Sequence, residues 1–245
     1  MKHFGLIGYP LGHSFSQKFF TQKFQQEGIN AIYELYPLLQ IEEFQNLCKQ
    51  TCLTGLNVTI PYKETIIPYL HELDHTAAEI GAVNVIKFTR NNGLAHLKGF
   101  NTDVIGFMES IRPHLTQEHK KALIFGTGGA SKAIEYGLKQ LGVETQLVSR
   151  HKRVNTLTYS ELTLDTYNDY QVLVNATPLG TYPNVNECIP IQFDNITEKH
   201  LLFDVVYNPE ETLFLQQGRA HGAITINGIG MLHGQAKAAW AIWNS

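Results

Sequence analysis

Glycines at one turn of the chain have the spacing that binds a phosphate group. The stretch ALIFGTGGASKAI places a buried strand directly before Gly126, and a helix begins after Gly128. Gly126 permits the sharp turn, Gly128 lets the backbone approach a pyrophosphate, and the helix N-terminus presents N–H groups to the phosphates. The pattern predicts a dinucleotide site, although glycine-rich strand–helix turns also occur without a ligand. The predicted cofactor contacts in this turn are Gly126, Thr127, Gly128, Gly129 and Ala130.

The end of the following strand indicates which dinucleotide would bind. NAD sites usually carry Asp or Glu about 20 residues after the first glycine, where the carboxylate binds the ribose 2′-hydroxyl. Here the strand ends in Ser149 and Arg150, and Lys152 and Arg153 follow. A guanidinium forms planar, charge-assisted hydrogen bonds with a 2′-phosphate, so these residues favour NADP(H). A solvated basic loop is the alternative interpretation.

A third strand end should lie at the same edge of this sheet. Asn175, Ala176 and Thr177 end the strand-like segment YQVLVNATP. Because ligands bind outside the carboxyl ends of parallel strands, we expect these residues to line the cofactor groove. A plain turn closed by Pro178 is the alternative.

Polar side chains also cluster at strand ends between residues 14 and 103. Converging hydroxyls and amides at such an edge would suit a small polyhydroxy acid. Each residue alone has a structural alternative, because Ser14, Ser16 and Asp103 could cap helices and Asn84 could belong to a turn. The cluster consists of Ser14, Ser16, Asn57, Thr59, Lys63, Asn84, Asn101, Thr102 and Asp103.

Strand-like and helix-like segments alternate along the chain, and the alternation restarts once. It predicts an α/β fold of two domains with a catalytic crevice between them. Residues 1–102 would form an N-terminal α/β substrate domain. Residues 103–227 would form a Rossmann-type nucleotide-binding domain with a parallel sheet. The last helix, residues 228–245, should return to the first domain.

Local patterns predict how the first domain is connected. VNVIKF and LAHLKGF are predicted to be strands joined by the turn residues Asn91, Asn92 and Gly93. KETIIPYLHEL is predicted to be a helix that begins at Lys63. Lys63 would then lie just beyond the buried strand GLNVTI.

Composition excludes several classes of protein. The chain has 245 residues, 43% hydrophobic and 17% charged, with a net charge of −3, so no basic surface for nucleic acid or an anionic membrane is indicated. No apolar run approaches the ~18 residues of a membrane-spanning helix. Cys48, Cys52 and Cys188 are too few for a disulfide framework and are interpreted as reduced thiols of a cytoplasmic protein. No histidine spacing predicts a metal site.

Eight short motifs occur in a diagnostic order along nearly the whole chain. They are GYPLGHSFS, NVTIPYKE, GAVN, NTD, GTGGAS, NATPLG, DVVYNP and NGIGMLHGQA. In this order they resemble the shikimate/quinate dehydrogenase family, for which NVTIPYK and GMLHGQA are specific. The resemblance implies an oxidoreductase without a metal that reversibly reduces 3-dehydroshikimate to shikimate with NADPH, in the biosynthesis of aromatic amino acids.

The resemblance also implies roles for the matching residues. Lys63 and Asp103 would be the catalytic pair, and Gly228 would join the cofactor contacts. Hydride addition turns a ketone into an alcohol, so an ammonium at the oxygen would stabilise the developing charge and donate a proton. Asp103 would orient that ammonium. The implied substrate contacts are Ser14, Ser16, Asn57, Thr59, Asn84, Tyr207 and Gln235.

Two departures from the family pattern leave alternatives open. Gln17 replaces the proline that commonly follows the second serine, and HKRV replaces a threonine-rich loop, so Lys152 or Arg153 would supply the second phosphate contact. One alternative is a quinate/shikimate dehydrogenase with a broader substrate range or NAD use. Another is a catalytically silent ligand-binding module. We expect a small-molecule substrate as partner, no nucleic acid and no membrane, and we leave a homodimer open.

Overall fold

The chain folds into two units. The computed structural model describes residues 1–12, 14–49, 53–92 and 94–245, so Cys52 and Gly93, interpreted above, lie outside the described residues. Unit 1 contains Met1–Thr102 and Ala236–Ser245, and unit 2 contains Asp103–Gln235. The change of unit after residue 102 coincides with the domain boundary expected from the sequence.

Unit 1 is built on a mixed six-stranded sheet with the order β2-β1-β3-β5-β6-β4. β1 is parallel to β2 and β3, β5 is antiparallel to β3 and β6, and β4 is parallel to β6. The antiparallel pair β5 and β6 contains the two segments, VNVIKF and LAHLKGF, that were predicted to be strands joined by a turn. The strands are β1 Lys2–Gly8, β2 Ala31–Pro37, β3 Leu53–Val58, β4 Glu72–Leu73, β5 Val85–Asn91 and β6 Leu94–Phe100.

Short polar side chains cap two of the described helices of unit 1. The helices are α1 Phe15–Gln26, α2 Phe44–Cys48 and α3 His75–Ile80. The Ser14 side chain accepts a hydrogen bond from the backbone N–H of Gln17 and so caps α1. Asp74 caps α3 in the same way, and Gly81 ends it in the left-handed region at φ 68°.

The helix predicted for residues 63–73 is wrong. A turn follows Lys63, a 3₁₀ helix spans Ile67–Tyr69, and the chain then pairs with β6 as β4. Pro68 has no N–H to donate, which disfavours a continuous α-helix through this segment. The backbone N–H of His71 instead donates to the carbonyl of Leu97, 3.0 Å away.

Unit 2 contains a six-stranded parallel sheet with the order β12-β11-β10-β7-β8-β9. Counted from its first strand, β7, this is the order 3-2-1-4-5-6 of a doubly wound dinucleotide-binding fold, which confirms the predicted fold class. The strand order reverses between β7 and β10, and doubly wound folds bind their ligands at this point. The strands are β7 Lys121–Phe125, β8 Glu144–Ser149, β9 Thr156–Thr158, β10 Val172–Asn175, β11 Leu201–Asp204 and β12 Ile224–Ile226.

Helices cover this parallel sheet and bury its central strands. Residues 122–125, 172–174 and 201–203 are fully buried, as expected for strands packed on both faces. The helices are α4 Asp103–Ile111, α5 Gly129–Gln140, α6 Leu164–Asp169 and α7 Leu213–Ala220. The sequence patterns did not predict β9 and α6.

The last helix, α8 Ile229–Asn244, is shared between the units. Residues 229–235 group with unit 2, whereas the whole segment 228–245 was expected to complete the first domain. The later residues pack in the core of unit 1, where the indole Nε1 of Trp243 donates to the carbonyl of Ile86, 3.1 Å away. A side chain on Gly55 would overlap this indole, so only glycine leaves room for the helix here.

Candidate functional site

The glycine turn of unit 2 has the geometry that a pyrophosphate requires. Gly126 has φ 117°, a conformation that residues with a side chain rarely adopt. A Cβ on Gly128 would meet no described atom within 4 Å, so the space beside the first turn of α5 is open. The buried hydroxyl of Ser131 has no hydrogen-bond partner among the described residues and lies beside Gly126. These features fit a phosphate group bound at the start of α5.

The basic residues after β8 are held in different ways. The Lys152 ammonium pairs with the Glu161 carboxylate at 2.6 Å, and this hydrogen bond, with two from Thr158, lowers the pKa of Glu161 to about 2. The Arg153 guanidinium instead donates to the hydroxyl of Thr127, 3.2 Å away in the glycine turn. The structure therefore brings Arg153 to the predicted cofactor turn, while Lys152 is engaged with an acidic partner.

Two further residues at this edge were predicted to contact the cofactor. The hydroxyl of Ser149 donates to the carbonyl of His151 and so shapes the basic loop. Arg150 is exposed next to it. No carboxylate occupies the end of β8, so the arrangement retains the cationic character that favours a 2′-phosphate.

A hydrogen-bond network organises the end of β10. The Asn175 amide oxygen accepts from the backbone N–H of Thr177 at 3.1 Å and from its hydroxyl at 2.6 Å. The Asn175 amide nitrogen donates to Asp204 at 3.0 Å. Ala176 is held by a backbone bond to Phe125 at the end of the neighbouring β7. This places the predicted residues Asn175, Ala176 and Thr177 beside the glycine turn, at the point where the strand order reverses.

Gly228 and Tyr207 follow the next strands of the sheet. A Cβ on Gly228 would collide with the carbonyl of Val205, and the Gly228 N–H donates to the carbonyl of Val206 at 3.0 Å. Gly228 therefore has a packing role in addition to the predicted cofactor contact. The Tyr207 side chain is 38% exposed, and partial burial raises the pKa of its phenol.

In unit 1 the predicted serines have different environments. Ser14 caps α1, which is the structural alternative considered above. Ser16 is buried and hydrogen-bonds the hydroxyl of Tyr33, whose pKa is raised by burial. The Tyr33 hydroxyl in turn donates to the side-chain oxygen of Asn57 at 2.7 Å. Tyr33 was not recognised from the sequence.

Asn57, Asn84 and Thr102 are brought together by buried hydrogen bonds. The Asn57 amide nitrogen donates to the carbonyl of Asn84 at 3.4 Å. The Asn84 side-chain oxygen accepts from the Thr102 N–H at 2.7 Å, and its nitrogen donates to the Thr102 hydroxyl at 3.1 Å. Nearby, the Asn101 amide nitrogen donates to the carbonyl of Ala82 at 2.9 Å. The polar cluster at these strand ends is thus a connected network within unit 1.

The remaining residues of the predicted site are divided between the units. Thr59 and Lys63 are partly buried in unit 1, and the carbonyl of Lys63 accepts from the N–H of Val83 at 2.7 Å. Asp103, 5% exposed, begins α4 in unit 2, and Gln235, 9% exposed, lies on α8 in the same unit.

Asp103 and Gln235 lie on two helices, α4 and α8, that pack closely against each other. A Cβ on Gly106 would lie 2.7 Å from the backbone nitrogen of Gln235, so α4 and α8 touch at this glycine. Asp103 precedes Gly106 by about one helical turn.

The chain is similar to known proteins over nearly its whole length. A model of the shikimate dehydrogenase substrate binding domain matches residues 6–86. A protein of Methanosphaera stadtmanae named shikimate dehydrogenase (NADP(+)) is 36% identical over 260 residues, covering 98% of this chain and 90% of that protein. The chain belongs to the shikimate dehydrogenase family.

Solved structures of related dehydrogenases share the fold over the whole chain. The Thermus thermophilus shikimate 5-dehydrogenase in complex with NADP(H) and shikimate has a TM-score of 0.86 and 28% identity, covering 99% of this chain and 93% of that one. The Corynebacterium glutamicum quinate dehydrogenase in complex with NAD has a TM-score of 0.83 and 25% identity, covering 99% and 93% of the two chains.

This member of the shikimate dehydrogenase family has neither a membrane-spanning nor a metal-binding arrangement within its described ranges. None of the helices there is both long and apolar enough to cross a membrane. No three His, Cys, Asp or Glu residues of the described ranges are grouped so that they could hold a metal ion.

Sequence reasoning missed Asp204, the most deeply buried carboxylate of the site region. It is 0% exposed, and burial raises its pKa to about 6 despite hydrogen bonds from Thr212, Val206 and Asn175. Its signal in the sequence was an acidic residue in the apolar run LLFDVV, where an unpaired charge would be costly.

Proposed function

We propose that the chain is an NADP-dependent shikimate dehydrogenase. It would interconvert 3-dehydroshikimate and shikimate, with NADPH and a proton consumed and NADP⁺ released in the direction of reduction. The observation that carries this proposal is family membership over 98% of the chain. A basic rather than acidic end to β8 supports the choice of cofactor.

We propose that unit 2 binds the cofactor and that unit 1 supplies most of the substrate contacts. The open turn at Gly128, the Arg153–Thr127 hydrogen bond and the Ser131 hydroxyl, which has no partner within the described ranges, all suit a phosphorylated dinucleotide. NADPH supplies the hydride when it is bound. The match of residues 6–86 to a substrate-binding domain supports the role of unit 1.

Lys63 is the proposed proton donor in the direction of reduction. As hydride reaches the carbonyl carbon, the ammonium would stabilise the negative charge on oxygen and then transfer a proton to it. Asp103 would orient the ammonium and bind a substrate hydroxyl. This assignment requires that Lys63 of unit 1 and Asp103 of unit 2 act on one substrate.

The remaining polar residues would hold the substrate. Ser14 and Ser16 would bind its carboxylate, whereas Asn84 and Gln235 would bind ring hydroxyls. In this proposal Asn57 positions Asn84, because its amide bonds the Asn84 carbonyl. The full set of proposed substrate contacts is Ser14, Ser16, Asn57, Thr59, Asn84, Tyr207 and Gln235.

The direct test mixes the purified protein with shikimate and NADP⁺ and follows formation of reduced nicotinamide by absorbance. Parallel reactions contain NAD⁺ in place of NADP⁺ and quinate in place of shikimate. We expect turnover with shikimate and NADP⁺ to exceed the other combinations. Absence of turnover with every pair would refute the enzymatic proposal, and preference for quinate or NAD⁺ would refute the assigned specificity.

The catalytic assignment is tested with Lys63→Met. Losing a general acid typically costs ~10²–10⁴-fold in rate, so kcat should fall by that order. Lys139→Met is the matched control, because Lys139 pairs with Glu135 on the surface of α5. Near-normal turnover by the Lys63 variant would contradict its role.

A further inference from the structure

Asp204 is a buried carboxylate that the proposed chemistry does not use. It ends β11 and is 0% exposed. Burial of a charge is unfavourable unless hydrogen bonds compensate. Here the carboxylate accepts three of them, from the Asn175 amide nitrogen at 3.0 Å, the Val206 N–H at 3.0 Å and the Thr212 hydroxyl at 2.6 Å.

These bonds join three segments at the carboxyl edge of the parallel sheet. Asn175 ends β10, Val206 leads to the exposed Tyr207, and Thr212 caps α7 through a bond from the Leu215 N–H. Asp204 therefore lies at the centre of a network whose outer members, including Thr177, belong to the proposed cofactor groove.

The charge of Asp204 fixes the orientation of a neighbouring amide. An ionised carboxylate only accepts hydrogen bonds, so the NH₂ group of Asn175 must face it. The Asn175 oxygen is then turned toward Thr177, where it accepts from both the N–H and the hydroxyl. The Asn175 NH₂ group also reaches the carbonyl of Leu179 at 3.3 Å.

With a neutral group at Asp204, only the bonds of Asn175 to the Thr177 turn and to the Leu179 carbonyl would favour this orientation. An amide or a protonated carboxyl can both donate and accept, so it tolerates the Asn175 amide in either orientation. In the reversed orientation the N–H of Thr177 loses its acceptor. The turn after β10 then loses the side-chain hydrogen bond that shapes it. If Asp204 served only to fill space, its ionisation would not affect the orientation of the Asn175 amide.

We propose that ionised Asp204 is a positioning residue for cofactor binding, which acts by locking the Asn175 amide and so the turn that carries Thr177. The inference rests on the proposed function, because it assumes that this turn contacts NADP(H). Asp204 itself touches neither cofactor nor substrate in this proposal.

The first test measures the dissociation constant of NADPH directly, by fluorescence titration without substrate. Asp204→Asn should weaken NADPH binding about tenfold, the order expected when a charge-assisted hydrogen bond becomes neutral. Asp74→Asn is the matched control, since Asp74 caps α3 in unit 1 and asparagine caps helices equally well. The dissociation constant of NADPH from Asp74→Asn should equal that from the wild type. Circular dichroism of both variants at the titration temperature establishes that they are folded.

The second test uses pH, because acidification converts Asp204 itself into a neutral group. The side chains bonded to it, Asn175 and Thr212, do not titrate, and the nearby Cys188 thiol has a pKa raised to about 11 by burial and by the charge of Asp204. Between pH 7.5 and pH 5 the wild type should lose more NADPH affinity than Asp204→Asn. The 2′-phosphate of the cofactor, which titrates near pH 6, affects both proteins equally.

The outcomes separate the two levels of the argument. Weaker binding by Asp204→Asn, together with a shallower pH profile, supports the inference. Equal affinity of wild type and Asp204→Asn, or parallel pH profiles, overturns it while leaving the proposed function intact. A wild type that does not bind NADPH refutes the proposed function.

Discussion

Replacing Asp204 with asparagine should make the folded protein more stable at neutral pH. In the folded state burial raises the pKa of Asp204 from 3.8 to about 6, so the folded protein binds this proton more tightly than the unfolded chain. The stabilisation from protonation is therefore complete at low pH and is lost as the pH rises from about 4 through about 6. At pH 7 the ionised carboxylate therefore lowers the free energy of unfolding, whereas a neutral amide does not.

The size of this effect follows from the two pKa values. One pKa unit corresponds to about 1.4 kcal/mol, so the full cost of ionising Asp204 is about 3 kcal/mol. Between pH 7.5 and pH 5 the protonation recovers about 1.4 kcal/mol, because only one unit of that range lies below the folded pKa. The wild type should gain this amount relative to Asp204→Asn over the same interval.

Urea unfolding followed by circular dichroism measures the effect. Free energies of unfolding are determined for wild type and Asp204→Asn at pH 7.5 and pH 5, and the change with pH is compared between the proteins. The comparison cancels the titration of the eleven histidines, which both proteins share. An equal change with pH in the two proteins would refute the reasoning, as would a variant that is less stable than the wild type at pH 7.5.

Three other substitutions test features of the fold. Gly55→Ala should destabilise the protein by about 1–3 kcal/mol, measured by urea unfolding, because its methyl group would overlap the Trp243 indole; unchanged stability would contradict this packing. Gly126→Ala should lower the free energy of unfolding by about 1–3 kcal/mol, because φ at this position is 117°. It should also weaken NADPH binding in a fluorescence titration, and normal affinity would argue against the assigned turn. His119→Gln should reduce the loss of unfolding free energy between pH 7 and pH 5. Burial lowers the pKa of His119, and its neutral ring accepts from the Thr116 N–H, so protonation of this ring destabilises the fold. An equal loss in the wild type and the variant would count against this.

Short-range patterns were sufficient to predict the glycine turn and the parallel sheet around it. A buried strand, Gly126 and the amphipathic α5 are specified by neighbouring residues, so their conformations can be read locally. The helix expected at residues 63–73 failed because a partner distant in the chain, β6, binds the backbone of that segment. Tertiary pairing of this kind has no local signal.

The candidate site was predictable in its residue types more than in its connections. The reasoning from strand ends drew attention to Asn175, because parallel strands present their carboxyl ends at one edge, and to Asn84, which instead precedes the antiparallel β5. Their partners Tyr33 and Asp204 were missed, since burial and hydrogen bonding depend on neighbours from other strands. The pairing of Lys63 with Asp103 stays a prediction.

The division of unit 1 along the chain affects the order in which the protein can fold during its synthesis. Unit 2 is one continuous segment, whereas the core around Phe4 is incomplete until Trp243 has left the ribosome. Domains generally fold as units while the chain is being made. We therefore expect the later part of the sequence to fold first, with the nascent N-terminal hundred residues awaiting the last helix.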